Sequence, residues 1–234
     1  MASRLAQRWN LTPKQAIALQ ARLARRVLRE DRIGAVRHVG GIDIGFEDAG
    51  RVTRAAAVLL AFPGLQLRAF AVARRRTSFP YVPGLLSFRE APAALDALAK
   101  LPIKPDLLLC DGQGIAHPRR CGLASHLGLA ANIPAIGAAK SRLIGTHAAL
   151  PEPRGAWVPL VDRGETIGAV LRTRTAVAPL YVSIGHRVSL ASAIEWVLAC
   201  APRYRLPETT RWADRLASAS DAELARVARG LKGV

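Results

Sequence analysis

The sequence predicts an α/β fold, a single domain over residues 1–234 with a central mixed β-sheet flanked by helices on both faces. Three strand-like segments come first, at residues 39–46, 52–62 and 67–74, and a Pro63-Gly64 turn indicates that the last two pair. Short apolar segments then alternate with helical patterns, which is typical of strands covered by helices. Hydrophobic residues make up 50% of the 234, enough to bury a substantial core.

The first thirty residues predict a helix, in which Thr12 is a candidate N-cap and Pro13 suits the first turn. Residues 77–87 form a loop rich in proline and glycine. The other predicted elements are, in chain order, a helix at 88–101, a strand at 107–110, a helix at 119–132, a strand at 135–139, a hairpin of 157–160 and 166–172, a strand at 180–184, and helices at 189–200, 210–217 and 221–228.

The balance of charge points to a polyanionic partner. Lys and Arg number 34 against 17 Asp and Glu, a formal net charge of +17, and a field of this sign attracts nucleic acid. A compositional excess of arginine explains the same numbers without any binding surface. Charge says nothing about catalysis, so both interpretations stay open at this point.

Sequence patterns exclude the membrane and secreted classes. The longest apolar stretches, such as residues 55–62, fall far short of the roughly 18 residues of a spanning helix, and the N-terminal MASRLAQRWN lacks an apolar signal region. Cys110, Cys121 and Cys200 have no C-x-x-C spacing, which argues against a disulfide framework or a zinc site. We therefore expect a cytoplasmic protein without membrane contact and, since no dimer interface is obvious, a monomer.

Two acidic residues stand out because their surroundings are apolar. Asp43 lies between Ile42 and Ile44, and Asp111 follows the apolar LLLC segment. Carboxylates withdrawn from water on neighbouring strands need a cation between them, and Mg²⁺ takes oxygen ligands and often only one or two carboxylates. A metal site is one interpretation. The other makes Asp43 an outward-facing strand residue and Asp111 a turn residue.

Glu90 fits two roles that are compatible with each other. Ser87 and Glu90 have the S-x-x-E spacing of a capping box, in which Glu90 closes the first turn of the helix at 88–101. Glu90 is also a candidate third metal carboxylate. The spacing alone favours the capping role.

The loop before this helix holds an aromatic residue between two prolines, as Pro80-Tyr81-Val82-Pro83. Proline fixes φ on both sides, and a stiff, exposed aromatic residue suits a wedge between stacked bases. A tyrosine packed onto the core is the alternative.

His117 and Lys140 also have two interpretations each. His117 follows the DGQG turn and could contact a phosphate or a metal-bound water, or simply lie in the loop. Lys140 ends the apolar IPAIGAA segment and could neutralise phosphate charge, or be a solvated strand end. His126, in helical spacing with Leu123 and Leu127, is predicted to be half-buried and structural.

Several long motifs together resemble the endonuclease V family of deoxyinosine endonucleases. They are PYVPGLLSFRE, DGQGIAHPRRCGLASHLG and IGAAK, extended by GGIDIGFE, TRAAAVLL, GHRVS and YRLPETTRWAD. The resemblance runs from about residue 14 to residue 217, and the motifs are jointly specific.

The resemblance implies a ribonuclease H-like fold and a DNA repair endonuclease for deoxyinosine and other deaminated or mispaired bases. Cleavage would need Mg²⁺, with Mn²⁺ as a substitute, and would fall at the second phosphodiester bond 3′ to the lesion, leaving a 3′-hydroxyl and a 5′-phosphate.

The resemblance also implies a role for individual residues, carried over position by position. The catalytic residues would be Asp43, Glu90, Asp111, His117 and Lys140, and the metal ligands would be Asp43, Asp111 and Glu90, with Asp214 as a more peripheral fourth. The wedge would be Pro80, Tyr81, Val82 and Pro83, and the base pocket would be Gly84, Leu86, Gly112 and Gly122. Because His or Asn also occurs in the family at the position of Gln113, the role of that side chain is open.

Two other functions fit the same residues. An endoribonuclease acting on inosine-containing RNA keeps the chemistry, because the sequence does not show which sugar is read. A catalytically silent binder of damaged nucleic acid is the third interpretation. Asp43, Glu90 and Asp111 argue against it, since a pure binder of phosphates would gain from basic residues there.

Overall fold

The computed structural model describes residues 9–231, and the strands in that range form one eight-stranded sheet. They are β1 His38–Glu47, β2 Val52–Ala61, β3 Leu67–Arg76, β4 Leu107–Cys110, β5 Ala135–Ala139, β6 Trp157–Asp162, β7 Glu165–Leu171 and β8 Leu180–His186. The order across the sheet is β3-β2-β1-β4-β5-β8-β7-β6. Because β1, β4 and β5 run parallel and the other neighbours pair antiparallel, the predicted mixed sheet is confirmed.

Helices cover both faces of this sheet. They are α1 Pro13–Ala24, α2 Leu86–Ala99, α3 Leu123–Ala131, α4 Leu190–Cys200, α5 Glu208–Ser218 and α6 Asp221–Leu231. Successive side chains of a strand point to opposite faces. In β2, Ala55 and Ala57 therefore join an apolar cluster with α2, while Ala56 and Val58 join one with α5. No helix within residues 9–231 is both long and apolar enough to cross a membrane.

α1 is shorter than the predicted helix. Thr12 caps it as expected, but it ends at Ala24, and residues 1–8 of the prediction lie outside the described residues. Past the helix, the Leu28 N–H donates to Nδ1 of His186 at 3.3 Å. This bond to the end of β8 takes the place of a helical bond, which is a tertiary effect that local pattern does not reveal.

α3 begins at Leu123 rather than at residue 119, with Gly122 as its N-cap. Arg120 has a φ of 55°, in the left-handed region, which interrupts any helical path before Gly122. The Ala124 N–H then donates to the carbonyl of Gln113 at 3.0 Å. The start of α3 therefore holds the turn that follows β4.

Acidification is expected to destabilise this fold through buried histidines. The pKa values of His117, His126 and His186 are lowered from 6.5 to about 4, mainly because the rings are buried. At these three rings the unfolded chain binds protons more readily than the folded chain, so the stability that the neutral rings contribute is present above pH 6.5 and is lost as the pH falls towards 4. Urea unfolding across this range measures the loss. His186→Gln keeps an acceptor for the Leu28 N–H and should make the free energy of unfolding depend less steeply on pH. The same pH dependence in the variant and the wild type would contradict this account.

Candidate active site

Three aspartate side chains meet beside the carboxyl end of β4. Asp43 lies within β1, Asp111 directly follows β4, and Asp214 lies on α5. β1 and β4 pair in parallel with Ile42 opposite Cys110, so the residues that follow, Asp43 and Asp111, are neighbours. One oxygen of each of the three carboxylates lies within 4.8 Å of the other two. The structure thus brings together the two aspartates that the apolar strands indicated, and adds a third.

Asp214 reaches this group because α5 lies directly against β1. Gly41 permits the contact, since a Cβ at this position would lie 2.2 Å from the carbonyl oxygen of Thr209. Ala213 and Leu216 are buried between α5 and the sheet, and Asp214 lies at the exposed edge of the helix. The resemblance made Asp214 a peripheral member, whereas the geometry places it within the group of three.

The aspartate group carries more negative charge than its neighbours neutralise. Burial, followed by the charges of Asp111 and Asp214, raises the pKa of Asp43 to about 6. Lys140, directly after β5, places Nζ 2.7 Å from Asp111 Oδ2 and 3.2 Å from Asp214 Oδ1. One ammonium group beside three carboxylates leaves the group anionic. Converging oxygen ligands with excess negative charge fit a hard divalent cation.

Glu90 lies on α2 near the aspartates, outside their group of three. Its side chain is almost fully buried. Burial, and then the charge of Asp43, raises the pKa of Glu90 to about 8, and Asp111 adds to the effect. A fourth carboxyl group therefore borders the aspartates, in an environment that penalises its charge.

The capping-box prediction for Glu90 is wrong. α2 begins at Leu86, and Leu85 at its N-cap position makes no side-chain cap bond. The Ser87 hydroxyl is buried inside the helix and shares a 2.9 Å hydrogen bond with Nδ1 of His126, on α3. That partner lies 39 residues away, where local spacing cannot reveal it. His126 is structural as predicted, but fully buried rather than half-buried.

A cavity of about 470 Å³ lies between the carboxyl groups and the loop of residues 80–83. Glu90, Asp111 and Lys140 contribute to its wall, so the cavity and the acidic group share residues. The residues predicted for the base pocket and most of the predicted wedge also line it: Tyr81, Val82, Pro83, Gly84, Leu86, Gly112 and Gly122. The structure therefore gathers, around one space, residues that lie far apart in the sequence.

Tyr81 stands out of the surface at the mouth of this cavity. Its side chain is 71% exposed, so the alternative that it packs onto the core is wrong. The loop is anchored from below, because Val82 packs against the buried Phe79 and Leu85. The Leu85 N–H also donates to the Val82 carbonyl at 2.9 Å. An exposed ring on an anchored loop is the arrangement that a wedge requires.

His117 lines the cavity as a neutral ring. Nδ1 accepts from the Arg119 backbone N–H at 3.1 Å. Burial, and then the charge of Arg119, lowers the pKa of His117 to about 4. The ring therefore brings no positive charge to the cavity at pH 7, and its contact with a phosphate stays a prediction.

The two ends of the Gln113 amide differ in their hydrogen bonding. Its Nε2 donates to the Ser141 carbonyl at 2.9 Å. Its Oε1 is buried and accepts no hydrogen bond among the described residues. Gln113 therefore ties the cavity wall to the segment that follows Lys140.

Sequence reasoning missed two polar residues that support the site. Ser183, on β8, accepts a hydrogen bond from the Gly114 N–H at 2.8 Å and so fixes the turn after Asp111. Gln20, on α1, is fully buried and bonds two backbone carbonyls near the cavity. Each is a polar residue on an otherwise apolar strand or helix face, which is the signal that could have singled it out.

Known proteins resemble this chain over most of its length. The sequence model of the family described as Endonuclease V matches residues 21–215. An endonuclease V of Nostoc sp. (strain PCC 7120) is 59% identical over 211 residues, which cover 90% of this chain and 96% of the relative. The chain belongs to the endonuclease V family.

Solved structures of endonuclease V agree with the fold. The crystal structure of Endonuclease V from Streptomyces avermitilis has a TM-score of 0.86 at 43% identity and covers 94% of this chain and 96% of that one. Ciona intestinalis Endonuclease V, in complex with a 24mer DNA containing an inosine followed by a ribo-adenosine, has a TM-score of 0.77 at 28% identity, with coverages of 92% and 98%. The chain therefore has a ribonuclease H-like fold and is a nuclease acting on phosphodiester bonds, which confirms the predicted family, fold class and enzyme class.

Proposed function

We propose that this endonuclease V repairs DNA by recognising hypoxanthine, and other deaminated or mispaired bases, and by hydrolysing the second phosphodiester bond 3′ to the lesion with Mg²⁺. One observation carries the proposal: the 470 Å³ cavity lies between the exposed Tyr81 and the carboxyl groups. A base taken out of the stack and a nearby phosphate can then be held at the same time. The Ciona relative's complex with inosine-containing DNA supports the choice of base.

The cavity wall suits a base that is read by backbone groups. Gly84 and Gly112 have φ values of 75° and 155°, where glycine is favoured and no side chain separates the backbone from the cavity. Leu86 adds an apolar contact from its half-exposed side chain. Hypoxanthine presents a ring N–H donor and a carbonyl acceptor where adenine presents the reverse pair. Fixed backbone donors and acceptors can therefore separate the two bases.

Asp43, Asp111 and Asp214 are the proposed holders of Mg²⁺, with Glu90 as a further ligand. The fit rests on their converging oxygens and on the raised pKa of Asp43, which burial and then the charges of Asp111 and Asp214 produce. Mn²⁺ is the expected substitute because it accepts the same oxygen ligands. When bound, Mg²⁺ supplies Lewis acidity at the scissile phosphate and a water of lowered pKa.

Lys140 and His117 are proposed to hold the phosphate. Lys140 Nζ is held by Asp111 and Asp214 at the cavity wall, and its side chain is 41% exposed, so its charge can face a phosphate oxygen. His117 stays neutral at pH 7 and can serve only as an uncharged contact. The two side chains therefore orient the strand, while the carboxylates hold the cation.

The proposal is tested with matched DNA and RNA strands, each with one inosine, with and without Mg²⁺. We expect a nick in DNA at the second bond 3′ to inosine, only with Mg²⁺, and none in an undamaged strand. Cleavage of DNA without any divalent cation would overturn the proposed chemistry. Cleavage of RNA alone would move the substrate to inosine-containing RNA, and binding without cleavage of either strand would indicate a silent binder.

Binding of undamaged duplex DNA should weaken steeply with salt. Neutralising phosphates releases counterions. For each tenfold increase in salt concentration, log10 of the binding constant should therefore fall by about 0.9 per contacted phosphate. The preference for an inosine-containing duplex should change less, because the glycine and leucine wall that meets the base is uncharged. Fluorescence anisotropy across a salt series measures both. A slope near zero would mean that the net charge of +17 is compositional.

A further inference from the structure

A hydrogen-bond network lies behind the cavity wall at Gly84. The Gly84 carbonyl accepts from Gln20 Nε2 at 3.1 Å and from Arg119 Nη2 at 2.6 Å. Gln20 Nε2 also donates to the Cys121 carbonyl at 2.7 Å, and Gln20 Oε1 accepts from Arg119 Nε at 2.5 Å. Both ends of the Gln20 amide are therefore engaged, and Arg119 contacts Gln20 and Gly84 at once.

This network joins two walls of the cavity that are distant in sequence. Gly84 ends the loop that carries Tyr81, and Cys121 directly precedes Gly122, the N-cap of α3. Gln20 lies on α1, 64 residues from the first wall and 101 from the second. One side chain on α1 thereby fixes the distance between the two walls of the cavity, at Gly84 and at Gly122.

Burial alone does not account for a glutamine at this position. Gln20 is 0% exposed and shares the buried face of α1 with Ala16 and Leu23. An apolar side chain would cover the same face without the cost of burying an amide. Neither Gln20 nor Arg119 lines the cavity. Their polar groups therefore act on the backbone of the wall.

The Gly84 peptide lies directly against the Arg119 side chain. Its φ of 75° lies in the left-handed region, and an added Cβ would lie 2.7 Å from Arg119 Nη2. A shift of this carbonyl would move the cavity wall and the base of the loop with Tyr81 together.

We infer that Gln20 and Arg119 are positioning residues that hold the Gly84 and Gly122 walls at the spacing that accepts hypoxanthine, and so determine the preference for the lesion. The inference rests on the proposed function, since it assigns these residues to the selectivity of the same cavity. Within residues 9–231, their side chains bond each other and backbone carbonyls rather than the carboxyl groups of the site. Their effect belongs to recognition rather than to the cleavage chemistry.

Two variants test this role. Gln20→Glu keeps an acceptor for Arg119 but removes both donors to the wall carbonyls, and Arg119→Lys keeps the charge but cannot contact Gln20 and Gly84 at once. Displacing a positioned group by about 1 Å can lower a reaction rate roughly 100-fold, and we expect a displaced cavity wall to weaken binding by a factor of up to the same size. We expect affinity for an inosine-containing duplex to fall by about 10- to 100-fold in each variant, while affinity for the undamaged duplex changes less than about twofold. Anisotropy on both duplexes at one salt concentration, well below the melting temperature, gives the ratio.

Leu23→Ala is the matched control, because Leu23 is buried on the same helix and packs into the core away from the cavity. It should lower the melting temperature and leave the affinity ratio unchanged. Equal loss of affinity for both duplexes in Gln20→Glu and Arg119→Lys, or an unchanged ratio, would overturn the inference. If Gln20→Glu does not fold, the half-buried Arg119→Lys decides. A wild-type protein without preference for inosine would instead overturn the proposed function itself, before any variant is compared.

Discussion

Asp43→Asn should remove nearly all cleavage of an inosine-containing strand. Asparagine keeps the size of the side chain but gives the cation no negative charge. Losing an outer partner of a metal ligand already costs about 10- to 100-fold in affinity or activity, so losing a direct ligand should exceed about 100-fold. Nicking rates across a Mg²⁺ titration measure this loss.

The same variant should be more stable than the wild type when no divalent cation is present. Burial and the charges of Asp111 and Asp214 raise the pKa of Asp43 from 3.8 to about 6. Keeping this group ionised at pH 7 therefore destabilises the fold by on the order of 2–3 kcal/mol. The penalty is complete above pH 6 and disappears as the pH falls towards 3.8. The melting temperature in EDTA should rise in Asp43→Asn, and added Mg²⁺ should stabilise the wild type much more than the variant.

Asp96→Asn is the control for both measurements. Asp96 is a half-exposed carboxylate on α2 that pairs with Arg75 at 3.0 Å. Its loss removes one negative charge without touching the aspartate group, so cleavage and the response to Mg²⁺ should stay unchanged. Near-normal cleavage by Asp43→Asn, or equal stabilisation of variant and wild type by Mg²⁺, would contradict the proposed metal site.

The aspartates show how far sequence reasoning reaches in this fold. Asp43 and Asp111 could be singled out because apolar strands flank them, and parallel pairing of those strands brings them together. In β2, the side chains that point to one face of the sheet and those that point to the other are both mostly apolar, which agrees with a sheet buried on both faces. These features depend on local pattern and on the period of a strand, both of which can be read from sequence.

Long-range contacts set the features that local pattern could not predict. Asp214 joins the aspartates because α5 docks on Gly41, and the apolar residues beside Asp214 show that the helix packs but not which strand it packs on. The Ser87 spacing suggested a cap, but a partner on α3 takes the hydroxyl instead. Gln20 gave only the weak signal of one polar residue on an apolar helix face. In each case the deciding partner lies on another element of the fold.

Tyr81→Ala should reduce recognition of inosine in a duplex far more than in a single strand. Extruding a base costs a few kcal/mol in a paired duplex and least where pairing is absent, and an aromatic wedge holds the opened duplex. Base–aromatic stacking contributes roughly 1–3 kcal/mol, so the duplex defect should reach about tenfold or more. Because Tyr81 is 71% exposed, its removal should leave the melting temperature nearly unchanged.

Tyr81→Phe is the control that separates the ring from its hydroxyl. Stacking uses the face of the ring, so the phenylalanine variant should keep most of the duplex activity. The decisive quantity is the ratio of cleavage rates on duplex and single-stranded inosine substrates, measured for both variants beside their melting temperatures. The anchoring of the loop through Phe79, Val82 and Leu85 is untouched in either variant, so the backbone should stay in place. A Tyr81→Ala variant with a normal ratio, or one that loses both substrates equally, would remove the wedge assignment.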